Sequence, residues 1–145
     1  EAPRETARVW PADLARIDSV ALAPVTFQHF VPADLDLRTT VVDGSMFTAA
    51  IRSDADHQVD YRQGLGSAEM TPYRLPDDVA DRLQALMDRL DLAFGAVDFR
   101  VTPDGEHVFL EVNPAGEYLF VSDRIELPIP EAIAAALDRA DAARG

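Results

Sequence analysis

Two residues constrain this chain more than any others: Asp43-Gly44, set between the runs Leu35–Val42 and Met46–Arg52. A two-residue turn that matches the twist of antiparallel strands needs positive φ at both central positions, and Asp-Gly adopts that at low cost. The flanking runs are therefore one hairpin. Phe94–Thr102 and His107–Asn113 make a second, around Pro103-Asp104-Gly105-Glu106. Glu69–Leu75 supplies another strand, as does Val25–Val31, which is β-branched and aromatic and closed by Pro32. Ser53–Asp60 is polar and reads as a loop, and Gln63–Ser67 as a mobile, glycine-containing one. Pro76 followed by Asp77 and Asp78 opens a helix whose Val79, Leu83, Leu86, Met87 and Leu90 form an apolar stripe. A C-terminal helix runs from about Pro130, with Ile133, Leu137 and Ala140 facing inward. The order implies an α+β fold, a mainly antiparallel sheet with two packed helices. That domain is expected over 20–145. Residues 1–19 form a weakly structured segment with, at most, a short helix over Asp13–Ile17.

Composition narrows the function classes. The chain has 145 residues, 48% of them hydrophobic, enough for one domain with a core. No apolar run approaches the ~20 residues that span a bilayer. A formal net charge of -13 argues against nucleic-acid and anionic-membrane surfaces. Cysteine is absent, which removes disulfide frameworks and thiolate metal sites. With no export signal at the N-terminus, the expected location is cytoplasmic. The chain does not begin with methionine and is read as a piece of a longer protein. All 13 basic residues are arginine, so phosphate contacts must come from arginine, backbone N–H groups or a metal.

The second hairpin carries the chemistry. Along its first strand Val97, Phe99 and Val101 share one face, and Ala96, Asp98 and Arg100 the other. Along its second, Val108, Leu110 and Val112 share one face, and Phe109, Glu111 and Asn113 the other. A turn centred on Asp104-Gly105 pairs Thr102 with His107 and hence Asp98 with Glu111. Directly opposed like charges are destabilising. A hard divalent cation resolves the conflict, since Asp, Glu and Asn offer oxygen ligands only, and Arg100 adds a charge that suits phosphate. Acid pairs on strands are also neutralised by neighbouring arginines, and the residues alone leave both readings open.

Glu111-Val112-Asn113-Pro114, after Val108-Phe109-Leu110, resembles the magnesium-binding E-x-N-P signature of ATP-grasp enzymes, with Asp98 in the place of the acid on the preceding strand. Phe27-Gln28-His29-Phe30-Val31 resembles their adenine-side hinge, Asp36-Leu37-Arg38 the acid-x-Arg after it, and Asp60-Tyr61-Arg62 the arginine motif before a glycine-containing loop. The pattern is most similar to the ATP-grasp maturases of graspetides, and more broadly to RimK-type glutamate ligases, from about Val20 to Leu137. His29 departs from the acid usual there, and Glu117 stands where many have glutamine. The resemblance implies the C-terminal portion of an ATP-grasp fold, without the N-terminal substrate domain and the nucleotide-covering half.

It further implies ATP and Mg2+ as cofactors, with Mn2+ as a substitute. Asp98, Glu111 and Asn113 hold the metal. Arg38 and Arg62 act on phosphate or the substrate carboxylate. Gln28, His29, Phe30, Val31, Asp36 and Arg100 line the nucleotide. The implied activity is carboxylate–amine or carboxylate–hydroxyl ligation through an acyl phosphate, on a peptide or small carboxylate. Implied partners are that substrate and the rest of the same protein, with no nucleic acid and no membrane; homo-oligomerisation stays open. Two alternatives remain: a RimK-like amino-acid ligase, and a non-catalytic scaffold that kept the fold.

Overall fold

The computed structural model describes residues 6–23, 25–53 and 59–144. Five antiparallel strands form the sheet: β1 (Leu35–Val42), β2 (Ser45–Arg52), β3 (Glu69–Tyr73), β4 (Phe94–Val101) and β5 (His107–Asn113). Their spatial order is β3-β2-β1-β4-β5. Asp43 (φ 47) and Gly44 (φ 82) both take the left-handed backbone, and Val42 pairs with Ser45, which is the two-residue turn expected. Three α-helices join the sheet: α1 (Asp77–Arg89), α2 (Leu119–Ile125) and α3 (Ile129–Ala142). Among the described residues no helix is long and apolar enough to cross a membrane.

Strand alternation divides the core in two. Leu37, Val41, Val97, Phe99 and Val101 meet Val79, Leu83 and Met87 of α1. On the opposite face, Val42, Ala49 and Ile51 meet Val121 of α2 and Ile129 of α3. The even-numbered positions of β1 explain where a site can form. Val42 joins that second core, whereas Asp36, Arg38 and Thr40 on the same face are buried polar groups. The sheet face is thus apolar at one end and charged at the other.

Several expectations are corrected. Val25–Val31 is not a strand: it pairs with no sheet edge, and Val25 and Phe27 are exposed. β-Branched and aromatic composition favours a pleated, half-buried surface, but strand formation also needs a partner edge. The short helix over Asp13–Ile17 is instead a 3₁₀ stretch, Pro11–Leu22, with no buried residue. Part of the Ser53–Asp60 loop lies outside the described residues. Running into the glycine-containing segment Gln63–Ser67, Tyr61–Gly64 form a 3₁₀ turn, capped where the Asp60 carboxylate accepts from the Arg62 N–H. Sequence reasoning missed α2, whose seven residues are too few for a periodic signal. On α3 the inward side is Ile129, Ala132, Ile133 and Ala136, while Leu137 and Ala140 are exposed. On α1, Leu90 is exposed at the C-cap.

The second hairpin differs from expectation at two points. Thr102 N–H donates to Glu106 O, and Gly105 sits at φ 88, so the loop has three residues and Val101, not Thr102, pairs with His107. A bulge between Asp98/Phe99 then shifts the register, giving Phe99↔Phe109 but Asp98↔Glu111. Phe109 therefore lies on the α1 side, edge-on to Phe99 at 5.8 Å, and not beside Glu111 as the unbroken alternation had it.

Candidate active site

The charged end of the sheet is built from two rungs between β1 and β4. Asp36 pairs with Arg100, and Arg38 with Asp98, as direct cross-strand neighbours. All four are buried, between 6% and 8% exposed. Opposite charges directly across a rung stabilise a sheet, and burial leaves them little choice but to pair. Arg100 Nε donates to Asp36 Oδ1 at 3.0 Å, and its Nη1 to Val31 O at 2.8 Å. Arg38 Nη1 straddles both Asp98 oxygens at 3.0 Å, and its Nη2 donates to Glu117 O at 2.9 Å. Arg38 Nε is buried with no partner among the described residues.

The Asp98–Glu111 opposition exists in the register, and Arg38 on the other side of Asp98 already relieves it. Glu111 is exposed and makes no ion pair among the described residues. Asn113 pairs with Ala96 on the same face, and its Oδ1 accepts from the Ala115 N–H at 2.9 Å. Two carboxylates and a carboxamide are an oxygen-only set that fits a hard dication. No group of three His, Cys, Asp or Glu side chains gathers among the described residues, so the carboxamide is needed to complete such a set.

A cleft of about 580 Å³ opens over these groups. Asp36, Asp98, Arg100 and Glu111 line it from the sheet, and Arg62 from the turn before β3. Gln28, His29, Phe30 and Val31 line it as well, together with Thr6–Val9 of the N-terminal segment. Phe30 lies between two guanidinium groups, Arg8 at 4.9 Å and Arg100 at 5.4 Å from its ring centre. Arg38 stands behind Asp98, and Asn113 at the end of β5, neither in the cleft wall. Among the expected nucleotide-lining residues, Asp36 has an oxygen taken by Arg100. Arg62 is held bidentately by Asp60, Nε–Oδ1 at 2.7 Å and Nη2–Oδ2 at 3.0 Å.

Charge environment follows burial and pairing. Burial raises the Asp36 carboxyl above its usual range, outweighing the attraction of Arg100. Burial also raises Asp60, but the hydrogen bonds from Arg62 outweigh it and hold that carboxyl low. Burial, then the charge of Asp98, pushes the Tyr61 phenol far up, so it stays a donor, and it reaches Asp98 Oδ1 at 3.3 Å.

Two residues of the site have no role that the sequence alone assigns. Tyr61 stands between the charged residues of the Asp60-Tyr61-Arg62 motif. Gly116 packs so closely that a Cβ there would lie 2.3 Å from Ala96 Cβ and 3.0 Å from Arg38 Nη2. Its signal is its place three residues after Asn113, in the loop that Arg38 grips.

Compared with solved structures, the chain is similar to the macrocyclase MdnC bound with precursor peptide MdnA from Microcystis aeruginosa MRC. Identity is 36% and the TM-score 0.78, over 90% of this chain and 42% of that one. It is also similar to a Chryseobacterium gregarium RiPP-associated ATP-grasp ligase in complex with ADP and a leader and core peptide. That match has 27% identity and a TM-score of 0.79, over 90% and 41% of the two chains. The ATP-grasp ligase PsnB, complexed with a phosphomimetic precursor variant, Mg and ADP, shares the fold at 24% identity and a TM-score of 0.72, over 92% and 43%. The chain thus spans less than half the length of these solved structures. No protein-family model matches it, and no curated protein does.

Proposed function

We propose that this chain, which carries part of an ATP-grasp fold close to that of graspetide-maturing ligases, is the metal- and adenine-side portion of an ATP- and Mg2+-dependent ligase that modifies a ribosomal peptide. The observation that carries the reading is the pairing of Asp98 with Glu111 at the mouth of a cleft floored by buried Asp36 and Arg100. Arg38 offsets the charge of Asp98 from one side, whereas exposed Glu111 across from it makes no ion pair among the described residues, which leaves an oxygen ligand available to a cation. Asp98, Glu111 and Asn113 hold the cation, which when bound neutralises phosphate charge. Phe30 gives the base an apolar contact, and the His29–Val31 backbone lies along the same cleft. Arg62 meets phosphate or the substrate carboxylate, and Arg38 keeps Asp98 in place. The peptide carboxylate attacks the γ-phosphorus of ATP, releasing ADP and giving an acyl phosphate. A hydroxyl or amine then attacks the acyl carbon and gives up its proton, the C–O bond to phosphate breaks with its electron pair going to inorganic phosphate, and an ester or amide results. No protein nucleophile enters, consistent with a chain that lacks cysteine. The half that closes over the nucleotide and the precursor-binding domain belong to the rest of the same protein.

The test uses the protein that carries this chain together with that half. Glu111→Gln keeps shape but removes one charge from the cation set. Phosphate release coupled to ester or amide formation should fall by at least ~10²-fold, since charge neutralisation supplies several kcal/mol to the transition state. Stability without metal should hold or rise slightly, because a like-charge opposition is relieved. A scaffold predicts no ATP turnover in the parent. Equal turnover in parent and variant sinks the proposed cation site.

A further inference from the structure

Tyr61 sits inside the Asp60-Tyr61-Arg62 motif, which assigns it no role, yet it is a buried polar side chain aimed at the carboxylate on which the cation site depends. It is 7% exposed, and its ring joins the core beneath α2 and α3 with Ala49, Ile51 and Met70. The 3₁₀ turn that Asp60 caps fixes its backbone. Its hydroxyl donates to Asp98 Oδ1 at 3.3 Å, and both residues line the cleft.

The two oxygens of Asp98 are consequently unequal. Among the described residues, Oδ1 accepts from both Arg38 Nη1 and Tyr61, whereas Oδ2 accepts from Arg38 Nη1 alone. A carboxylate oxygen has about two lone-pair sites in the plane of the group. Oδ1 is therefore filled by protein donors, and Oδ2 keeps one site open. Arg38 cannot drift to change this, because Nη2 is tied to Glu117 O at 2.9 Å and Gly116 closes over the guanidinium.

We infer that Tyr61 is a positioning residue which, with Arg38, holds the Asp98 carboxylate so that Oδ2 alone is presented to the divalent cation, in one-oxygen coordination. The inference rests on the cation reading of the proposed function, and adds to it a residue and a mode of coordination. Without the phenol, the carboxylate can rotate about χ2 and trade its oxygens. The cation then has to order the group that the parent holds ready. Hydrogen-bond partners of metal-ligating groups typically account for about 10–100-fold in metal affinity.

The test is paramagnetic broadening of backbone amide NMR signals by Mn2+ alone, titrated into the parent chain, Tyr61→Phe and Asp98→Asn. Mn2+ takes the same oxygen ligands as Mg2+. In the parent, the amides around Asp98, Glu111 and Asn113 should broaden first, and Asp98→Asn should abolish that focus. Tyr61→Phe should keep the focus but move its titration midpoint at least ~10-fold higher in Mn2+. Its thermal midpoint should shift by only a few degrees, the cost of one hydrogen bond. If Tyr61→Phe titrates like the parent while Asp98→Asn does not, the positioning role is wrong and the cation site stands. If the parent shows no focus there, or Asp98→Asn keeps it, the cation site falls and this inference with it.

Discussion

Replacing Arg38 by methionine tests whether the site is held by charge or by packing. The Arg38 and Asp98 side chains are 9% and 10% exposed, so the variant leaves an anion in a buried position with Glu111 beside it in the register. Removing one partner of a buried pair typically costs ~3–5 kcal/mol. Two features favour the lower end. One Nη1 serves both carboxylate oxygens, which is weaker than a two-nitrogen fork, and Nε has no partner among the described residues. A loss of ~3 kcal/mol is therefore expected, with Glu117 O losing its donor as part of it. With a urea slope of about 2 kcal/mol per molar, the unfolding midpoint should drop by ~1.5 M, read by circular dichroism. The double variant Arg38→Met with Asp98→Asn removes the stranded charge and should regain at least half of that loss. A single variant within ~0.5 kcal/mol of the parent at unchanged slope would refute the argument, because only a solvent-screened pair is worth so little.

Gly116→Ala puts a Cβ 2.3 Å from the fully buried Ala96 Cβ and should cost ~1–3 kcal/mol by urea unfolding. Ala96→Gly in the same chain should recover part of it; no recovery would mean the strain lies elsewhere. Asp36 gives a pH test. Its folded carboxyl is raised by burial, so the folded state binds a proton that the unfolded chain, near 3.8, gives up. Its contribution is thus present at low pH and lost as pH rises from 3.8 through the raised value. The stability difference between parent and Asp36→Asn should slope downward across that window, and a flat difference would show that Arg100 cancels the burial cost.

What was legible in the sequence and what was not separate along a physical line. Asp43-Gly44 dictated its hairpin because a two-residue turn with both φ positive admits few dipeptides. The α1 stripe was legible because Val79, Leu83 and Met87 recur at helical spacing over thirteen residues. Val25–Val31 looked like a strand for lack of any local sign of whether an edge awaits it. Here the edges are β3 and β5, and the segment lies across the cleft, bound through Val31 O to Arg100. The inward side of α3 was misjudged for a related reason. Ala-rich helices carry a weak stripe, and what selects Ile129 and Ala136 over Leu137 is α3's place beside the α2 core. In the site, residue types pointed to the chemistry, but the partner of each charge needed the β1–β4 register. That register makes Arg38 and Asp36 the cross-strand partners of Asp98 and Arg100.

The opposition of Asp98 and Glu111 survives in the fold although the turn arithmetic behind it was off by one. Had the three-residue loop been followed by an unbroken ladder, Asp98 would face Leu110, and Glu111 would face Val97 on the α1 side. A one-residue slip flips every side chain of a strand, so Glu111 would enter the apolar core and Val112 the cleft. Burying an unpaired carboxylate there costs several kcal/mol, far more than one interrupted rung. The bulge opposite Asp98/Phe99 absorbs the extra residue at Leu110, which then lines the cleft. Phe109 goes beneath α1 against Phe99, Val112 stays opposite Val97, and Glu111 comes out beside Asp98. A bulge bends and twists the strand that carries it, re-aiming the side chains beyond it. Here those side chains are Glu111 and Asn113, so the irregularity that defeats a simple reading of the hairpin is what brings its polar groups onto one face.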